Sequence, residues 1–291
     1  MVAQLLSLLS CSGLAARDFI RAPAPVELGL LPFPTSDTLL PGETKQVHLY
    51  EARFIQLFAD SAARHNDCLG AMLFTPSGNV AAITTLLEVE EFRKEEFGVW
   101  ANLKCVGRVK LSDVKQTDYE YVLGTVEPFT DATGTAIEDD TDGDGNVQTV
   151  RELHESVNEL SARLRDSEAD GKGEAAERVA WGHEVRGEDD EAGESLERLL
   201  DKRKDVLLSR GADAPPLSSL SASLAEVWGV GSEEEANRQL LSFAAAATLS
   251  PNDRIQALQM SDTTERLAHV ACTLREQQRR LAAMLALKGV S

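Results

Sequence analysis

The chain has 291 residues, which is enough for one large domain or two modest ones. Hydrophobic residues make up 43% of it, so a substantial core can form, while the formal net charge is -19. A surface with this charge repels phosphate backbones and anionic lipid headgroups, and we therefore expect neither nucleic acid nor a membrane surface as a partner.

The first 26 residues differ from the rest of the chain. They contain a short apolar stretch, many small residues, Arg17 and Arg21, but only one acid, Asp18. This composition indicates either the remnant of an organelle-targeting segment or an N-terminal arm that packs on the body of the protein. No apolar run approaches the roughly 20 residues of a membrane-spanning helix, so we expect no direct membrane insertion.

Residues 27–130 are predicted to form mostly β-strands. The segments TKQVHLYE, CLGAMLFTPSGNV, AAITTLLEVEEF and YEYVLGTVEPF have strand character, and the second of them ends in a turn at Pro76-Ser77-Gly78-Asn79. One helix interrupts them, because apolar residues recur there at i, i+3, i+4 and i+8. That helical face consists of Phe54, Leu57, Phe58 and Ala62.

The clearest strand runs from Val99 to Leu111. Its odd positions are apolar and its even positions are largely polar, which predicts one buried and one outward face. Trp100 falls on the outward face, together with Lys104 and Arg108. It is therefore a candidate contact residue for a partner, or alternatively a contact within the chain if the helical half or the N-terminal arm covers this face. Short strands joined by turns, with one helix, are typical of a small closed or half-closed barrel.

Residues 131–148 are acidic and rich in glycine, and we predict an acidic loop there. The run DTDGDGNV places Asp140, Asp142 and Asp144 at the first, third and fifth positions of an EF-hand loop. Arg151 occupies the twelfth position, where a bidentate Glu is required, so this candidate loop should bind calcium weakly or not at all. We predict no other metal site.

Residues 149–291 have a helical composition with charged connectors. Ser250 and Asp262 are predicted N-caps of the last two helices. The final helix carries a seam with alternating steps of four and three: Leu267, Ala271, Leu274, Gln278, Leu281 and Leu285. This seam predicts packing within a bundle, or alternatively a short coiled-coil contact with a partner, and the bundle is favoured because the seam is short.

No local motif predicts catalysis or a cofactor. The chain has no phosphate-binding loop and no Gly-x-Ser-x-Gly elbow, and its histidines lack metal-binding spacing. Four cysteines are scattered and are expected to be reduced: Cys11, Cys68, Cys105 and Cys272. We therefore predict that the protein is not an enzyme, although a hydrolase triad assembled from distant segments stays open.

Several segments together resemble the N-terminal substrate-binding domain of Lon proteases. LPFP begins at Leu31, LPG at Leu40, HLYEARF at His48 and CVGR at Cys105, and the resemblance continues in LSPNDRIQALQMSDTTERLAHV. Ala52 replaces a proline that is usual in the family, and residues 131–148 and 166–215 look inserted.

This resemblance implies an α+β fold in which a PUA-like β-barrel is followed by a helical bundle. The chain looks like a stand-alone Lon-domain protein without the ATPase and protease domains, of a kind found in bacteria and in plastid-bearing eukaryotes, and we favour a plastid over the cytoplasm. The predicted divisions are an arm or targeting remnant at 1–26, the barrel at 27–130, the acidic loop at 131–148 and the helical part at 149–291.

The resemblance also implies a non-enzymatic protein-binding module. It would bind unfolded segments or a specific protein partner, through Phe33, Tyr50, Arg53 and Trp100. Arg53 is expected either to pair with Glu51 or to face a ligand, and pairing is favoured. The alternative is a structural subunit or assembly factor of a larger complex, possibly in a plastid, with the helical half as its docking surface.

Overall fold

A computed structural model describes residues 25–65, 67–75, 78–95, 97–118, 120–131, 141–170, 193–208, 228 and 230–289. The chain divides into two compact units. The barrel unit contains Met1–Thr133 and Lys202–Leu240, and the helical unit contains Gly134–Asp201 and Leu241–Ser291. The predicted α+β class is therefore confirmed, with the strands in the N-terminal part of the chain.

The barrel unit is built on a six-stranded sheet in the order β2-β5-β4-β3-β1-β6. Strand β6 pairs back onto β5, so five of the strands close into a ring and β2 lies outside it. The closure predicted from the short strands is confirmed, and it leaves the ring without a long open edge. The strands are β1 Val26–Phe33, β2 Thr44–Leu49, β3 Cys68–Leu73, β4 Ile83–Lys94, β5 Val99–Gln116 and β6 Val122–Pro128.

Strand β5 is long enough to serve two neighbours on one edge. Its first part pairs with β2 from Val99 to Lys104, and its last part pairs with β6 from Val109 to Gln116. Strand β4 runs along its other edge. The end of the sheet formed by β2, β5 and β4 is thus a three-stranded platform that extends beyond the closed ring.

The helix predicted from the apolar spacing is confirmed as α1, Ala52–Arg64, which packs against β1 and β3. Leu57 is only 1% exposed. Gly29 on β1 permits this approach, because a Cβ atom there would lie 2.0 Å from Leu57 Cδ1. Inside the ring, a continuous apolar core is formed by Leu28, Leu30, Cys68, Leu86, Val106, Val109, Leu111 and Val126.

The Pro41-Gly42 turn is fixed by a side chain from a distant helix. Arg203 donates from Nη1 to the Pro41 carbonyl at 3.1 Å and from Nη2 to Glu43 Oε1 at 3.1 Å. The other Glu43 oxygen accepts from the Leu40 amide at 2.6 Å. Gly42 has φ +84°, and a Cβ atom there would lie 2.7 Å from Arg203 Cβ, so the turn requires glycine at this position. The Pro41-Gly42 turn thus fixes the path of the chain.

A β-bulge corrects the predicted alternation of β5. Leu86 is opposite Gly107 and Leu87 is opposite Cys105, which leaves Val106 as an extra residue. Val106 joins the core inside the ring, so the odd-numbered residues of β5 lie on opposite faces before and after the bulge. Sequence alternation cannot reveal this exchange, because a bulge adds one residue without interrupting the strand.

Two cations of β5 that were predicted to face outward, Lys104 and Arg108, are buried, and the bulge places only Arg108 on the face opposite to Trp100. Lys104 is 3% exposed, and its Nζ lies 3.9 Å from Glu88 and 3.5 Å from Glu90. Arg108 is 6% exposed and forms an ion pair with the buried Asp131. Burial of these charges is tolerated because each lies next to a carboxylate.

The described helices after the barrel strands are α2 Thr141–Asp170, α3 Leu196–Leu208, α4 Glu233–Ala246, α5 Pro251–Gln259 and α6 Thr263–Leu287. Helix α2 begins inside the segment predicted as an acidic loop, so that prediction is wrong from Thr141 onward. Gly145 disfavours a helix by about 1 kcal/mol. Burial of Val150, and the packing of α2 along α6, outweigh this cost.

The seam of α6 packs within the helical unit. Leu267, Ala271 and Leu274 are at most 2% exposed, and α6 lies along α2. Gln278 Nε2 donates to Ser156 Oγ on α2 at 2.8 Å. The predicted bundle packing and both predicted N-caps are confirmed. None of the helices that the structure describes combines the length and apolarity needed to cross a bilayer.

Candidate protein-binding surface

The platform of β2, β5 and β4 brings three side chains into one row. His48 on β2 is paired with Trp100 on β5, and Trp100 is paired with Arg93 on β4. Side chains of directly paired residues share a face of the sheet. The His48 and Trp100 rings are stacked, with centroids 4.4 Å apart and planes 12° from parallel.

Two further aromatic residues lie at the surface next to this stack. Tyr50 directly follows β2 and has its ring centroid 6.2 Å from that of His48. Phe97 lies in the turn between β4 and β5, and its carbonyl oxygen is 2.9 Å from His48 Nε2. Tyr50 is 71% exposed and Phe97 is 76% exposed, whereas Trp100 is half-buried. We call His48, Tyr50, Phe97 and Trp100 the aromatic patch.

A glycine allows the β4–β5 turn to reach β2. Gly98 has φ +99°, and a Cβ atom there would lie 2.4 Å from the Leu49 carbonyl oxygen. Only glycine combines this backbone conformation with so close an approach. The turn therefore holds Phe97 beside β2, so the patch is backed by paired strands and is ordered before any partner binds.

Arg53 forms the pair favoured by the sequence. Its Nη2 lies 2.7 Å from Glu51 Oε2, and its guanidinium carbon is 4.6 Å above the Phe54 ring. Glu51 is the N-cap residue of α1, but its side chain makes no capping hydrogen bond. An open groove begins at Glu51, the residue that follows Tyr50 in the chain, and we call it the acidic groove. It is lined by Glu51, Ala52, Arg53, Gln56, Asp118 and Glu120.

Phe33 is not available at the surface. It is 5% exposed and lies at the end of β1, paired with Leu73 of β3. Strand β1 is paired with β3 at this place, and the side chain of Phe33 is packed within the barrel unit. We therefore do not retain Phe33 as a contact residue.

Sequence reasoning missed His48 and Phe97 as members of the patch. Their proximity to Trp100 depends on the register between β2 and β5 and on the turn between β4 and β5. The Phe97-Gly98 pair between two predicted strands is the signal that could have identified an exposed turn residue.

The described cysteines show no feature of a reactive or metal-binding thiol. Burial raises the pKa of Cys68 and of Cys105, and nearby carboxylates add to the effect, so both thiols stay protonated. Cys272 is exposed. Within the described part of the chain, no group of three or more His, Cys, Asp or Glu side chains could hold a metal ion.

The candidate calcium loop is only partly described. Asp140 lies outside the described residues, while the backbone of Asp142 and Asp144 is helical. EF-hand ligands come from a loop that turns around the ion, with an obligatory bend at the sixth position. A helix over those positions does not provide that geometry.

Comparison with known families supplies the identity of the fold. The family model for the substrate-binding domain of the ATP-dependent protease La (LON) matches residues 27–276. The chain belongs to this family. The match covers both the barrel strands and most of the helical part, including the segments that resembled Lon. No curated protein matches the chain.

Two solved structures are similar to the chain at low sequence identity. A Lon N-terminal domain protein from Xanthomonas campestris is 18% identical, with a TM-score of 0.43, over 84% of this chain and 95% of that chain. The N-terminal domain of the Lon protease of the Mycobacterium avium complex is 13% identical, with a TM-score of 0.44, over 87% and 98%. At these values neither structure indicates what this chain binds.

Proposed function

We propose that this protein is a non-catalytic binding module that holds unfolded polypeptide segments on the aromatic patch. The observation that carries the proposal is the exposure of Tyr50 and Phe97 beside the His48–Trp100 stack. Membership of a substrate-binding domain family supports the same function.

Exposed apolar surface raises the free energy of the folded protein in water. When a partner covers rings that are exposed in the folded protein, the free energy falls by about 25 cal/mol per Å² of apolar surface buried. Aromatic anchors also lose little conformational entropy on binding, and paired strands already hold this patch in place. An unfolded segment offers the apolar side chains that a folded protein keeps inside.

The binding test uses the two most exposed rings. The probe is an unstructured fluorescent peptide that contains leucine and phenylalanine. We expect the Tyr50→Ala/Phe97→Ala double variant to bind it at least about tenfold more weakly, because each anchor aromatic contributes about 1 kcal/mol or more to binding. Fluorescence anisotropy measures this affinity. The same variant should lose the ability to suppress aggregation of a chemically unfolded client, followed by light scattering.

Leu287→Ala is the matched control, because Leu287 is 89% exposed and lies in the helical unit. It removes exposed apolar surface that is not part of the patch and should leave both readouts unchanged. The proposal would be contradicted if Leu287→Ala weakened peptide binding as much as the double variant does, or if the double variant still bound the peptide and suppressed aggregation fully. Trp100 is a less suitable first target, since its stacking on His48 means that truncation also removes intramolecular contacts.

A fixed structural role in a larger assembly is the alternative function. The α6 seam motivated that alternative, and it is buried against α2 inside the helical unit. It therefore no longer supports docking of the helical half onto a partner. Size exclusion of native extract still separates the two functions, because a fixed subunit elutes at one constant high mass and a client-binding module elutes as a monomer or a heterogeneous pool.

We also propose localisation in a plastid. The support is the composition of residues 1–26, which carry Arg17 and Arg21 but only one acid. Expression of the full chain with a C-terminal fluorescent protein in a plastid-bearing cell tests this proposal. Fluorescence that fills the cytoplasm and stays out of plastids would contradict it.

A further inference from the structure

The surroundings of the aromatic patch carry an excess of negative charge. Two arginines lie there, and each already has a carboxylate partner: Arg53 Nη2 is 2.7 Å from Glu51, and Arg93 Nη2 is 3.0 Å from Glu95. These two pairs leave no net charge. The electrostatic character of the surface is therefore set by the remaining acids.

Two of these remaining acids line the acidic groove. Asp118 and Glu120 are both exposed in the turn between β5 and β6, and neither has an ion-pair partner among the described residues. They line the groove together with the Glu51–Arg53 pair, which directly follows Tyr50 in the chain. A cationic side chain in this groove would find two carboxylates that no described cation already neutralises.

A third acid lies on the platform itself. Glu91 is opposite Asn102, two residues from the Arg93–Trp100 pair, so it shares the Trp100 face. It is a diagonal neighbour of Trp100, at a spacing of about 7–8 Å between residues in this arrangement. Glu91 is exposed and has no ion-pair partner within the described part of the chain. Acids without an ion-pair partner among the described residues therefore lie in the groove next to Tyr50 and on the Trp100 face of the platform.

We propose that the patch selects unfolded segments in which an aromatic or large aliphatic residue is flanked by lysine or arginine. This inference rests on the proposed function and names its client class. The apolar side chain packs on the exposed rings, while the flanking cations reach Asp118 and Glu120 in the groove or Glu91 on the platform. Charge complementarity of this kind favours one class of partner and disfavours acidic segments.

The expected preference is moderate. The three carboxylates are exposed, and salt screens charges in water beyond about 8 Å at physiological ionic strength. Pairs between exposed charges contribute little individually. We therefore expect a lysine-bearing segment to bind about three- to tenfold more tightly than its glutamate counterpart, with a difference that shrinks as salt is added.

The test uses the full-length chain and a set of short fluorescent peptides. All peptides share the same phenylalanine and leucine residues in the same order and differ only in carrying lysine, glutamate or serine between them. Anisotropy titrations at low and at physiological salt give the affinities. The lysine peptide should bind most tightly, the serine peptide less tightly and the glutamate peptide most weakly.

A matched pair of double variants separates local charge from overall charge. Asp118→Asn/Glu120→Gln removes two carboxylates of the groove, and Glu155→Gln/Glu276→Gln removes two exposed carboxylates of the helical unit. The first should reduce the preference for lysine over glutamate by about threefold, and the second should leave it unchanged. An equal effect of the two variants would assign the preference to the whole chain and overturn the proposal.

The outcomes distinguish this inference from the proposed function. If the three peptides bind equally and Tyr50→Ala/Phe97→Ala still abolishes binding, the client class is wrong and the patch function stands. If none of the peptides binds, both fail. A dimer that Tyr50→Ala/Phe97→Ala dissociates, seen by light scattering, would mean that a second copy covers the patch, and would also overturn the proposal.

Discussion

The barrel unit and the helical unit differ in what they leave at the surface. Six large apolar side chains of the barrel unit are exposed among the described residues, against one, Leu287, in the helical unit. Those of the barrel unit are Tyr50, Ile55, Phe74, Phe92, Phe97 and Val114. The helical unit uses its apolar residues for its own packing, whereas the barrel unit keeps several available for contact.

The difference follows from how each unit is built. Helix α6 presents one apolar stripe, and α2 covers it along much of its length. A sheet has two faces and turns at its ends. In the platform, Val99, Ala101 and Leu103 are buried on one face, while Trp100 is half-buried on the other. The platform and the turns next to it also leave the rings of Tyr50 and Phe97 exposed.

The largest expected effect concerns the buried charges of the barrel unit. Asp131→Ala should lower the free energy of unfolding by about 3–5 kcal/mol, because it leaves Arg108 buried without this carboxylate. Urea denaturation measures the change. The Arg108→Met/Asp131→Leu variant should regain much of the loss, and an Asp131→Ala protein as stable as the parent would contradict the importance of the pair.

A core truncation in the helical unit should follow closely. Leu274 is 1% exposed on the α6 seam, and Leu274→Ala should cost about 2–4 kcal/mol through lost burial and a residual cavity. Thermal unfolding followed by circular dichroism checks this value. A loss below about 1 kcal/mol would show that the seam is loosely packed, and the contrast between the two units would weaken.

The pH dependence of the helical unit should be a smaller effect than the core truncation, and a buried histidine should contribute to it. Burial lowers the pKa of His154 from its ordinary value of 6.5, and Glu197 only partly opposes this. The stability that the neutral ring provides is therefore complete above pH 6.5 and is lost as the pH falls below it. Urea denaturation midpoints measured from about pH 7.5 to about pH 5 give the slope of stability against pH.

His154→Gln should flatten that slope, whatever its effect on stability at neutral pH. The ring is 2% exposed and lies 3.4 Å from Asn158 Nδ2, so glutamine keeps a polar group in the same place without the titration. Stability that instead rises on acidification in the parent protein would refute the buried, neutral histidine.

The smallest effect on stability should come from the patch. Phe97 is 76% exposed, so Phe97→Ala should change the free energy of unfolding by less than about 0.5 kcal/mol. The same denaturation experiment measures it beside Leu274→Ala. A loss comparable to that of Leu274→Ala would mean that Phe97 serves the fold, and would remove the basis for treating the patch as a binding surface.

Local sequence patterns predicted most elements correctly. The apolar spacing of Phe54, Leu57 and Phe58 specified α1, and the caps at Ser250 and Asp262 specified the starts of α5 and α6. These features succeed because they depend on residues within one or two turns of each other. Trp100 was identified from strand parity alone, and the structure places it on the platform beside His48.

The sequence by itself determined the family, the α+β class, the helix starts and the intramolecular seam, because each depends on a local pattern or a motif. Only the tertiary structure decided the bulge at Val106, the burial of Lys104 and Arg108, and the meeting of Tyr50 and Phe97 around the His48–Trp100 stack. These features arise from pairing between strands that are distant in the chain. Register across such pairs depends on which faces become buried, and no local pattern records that.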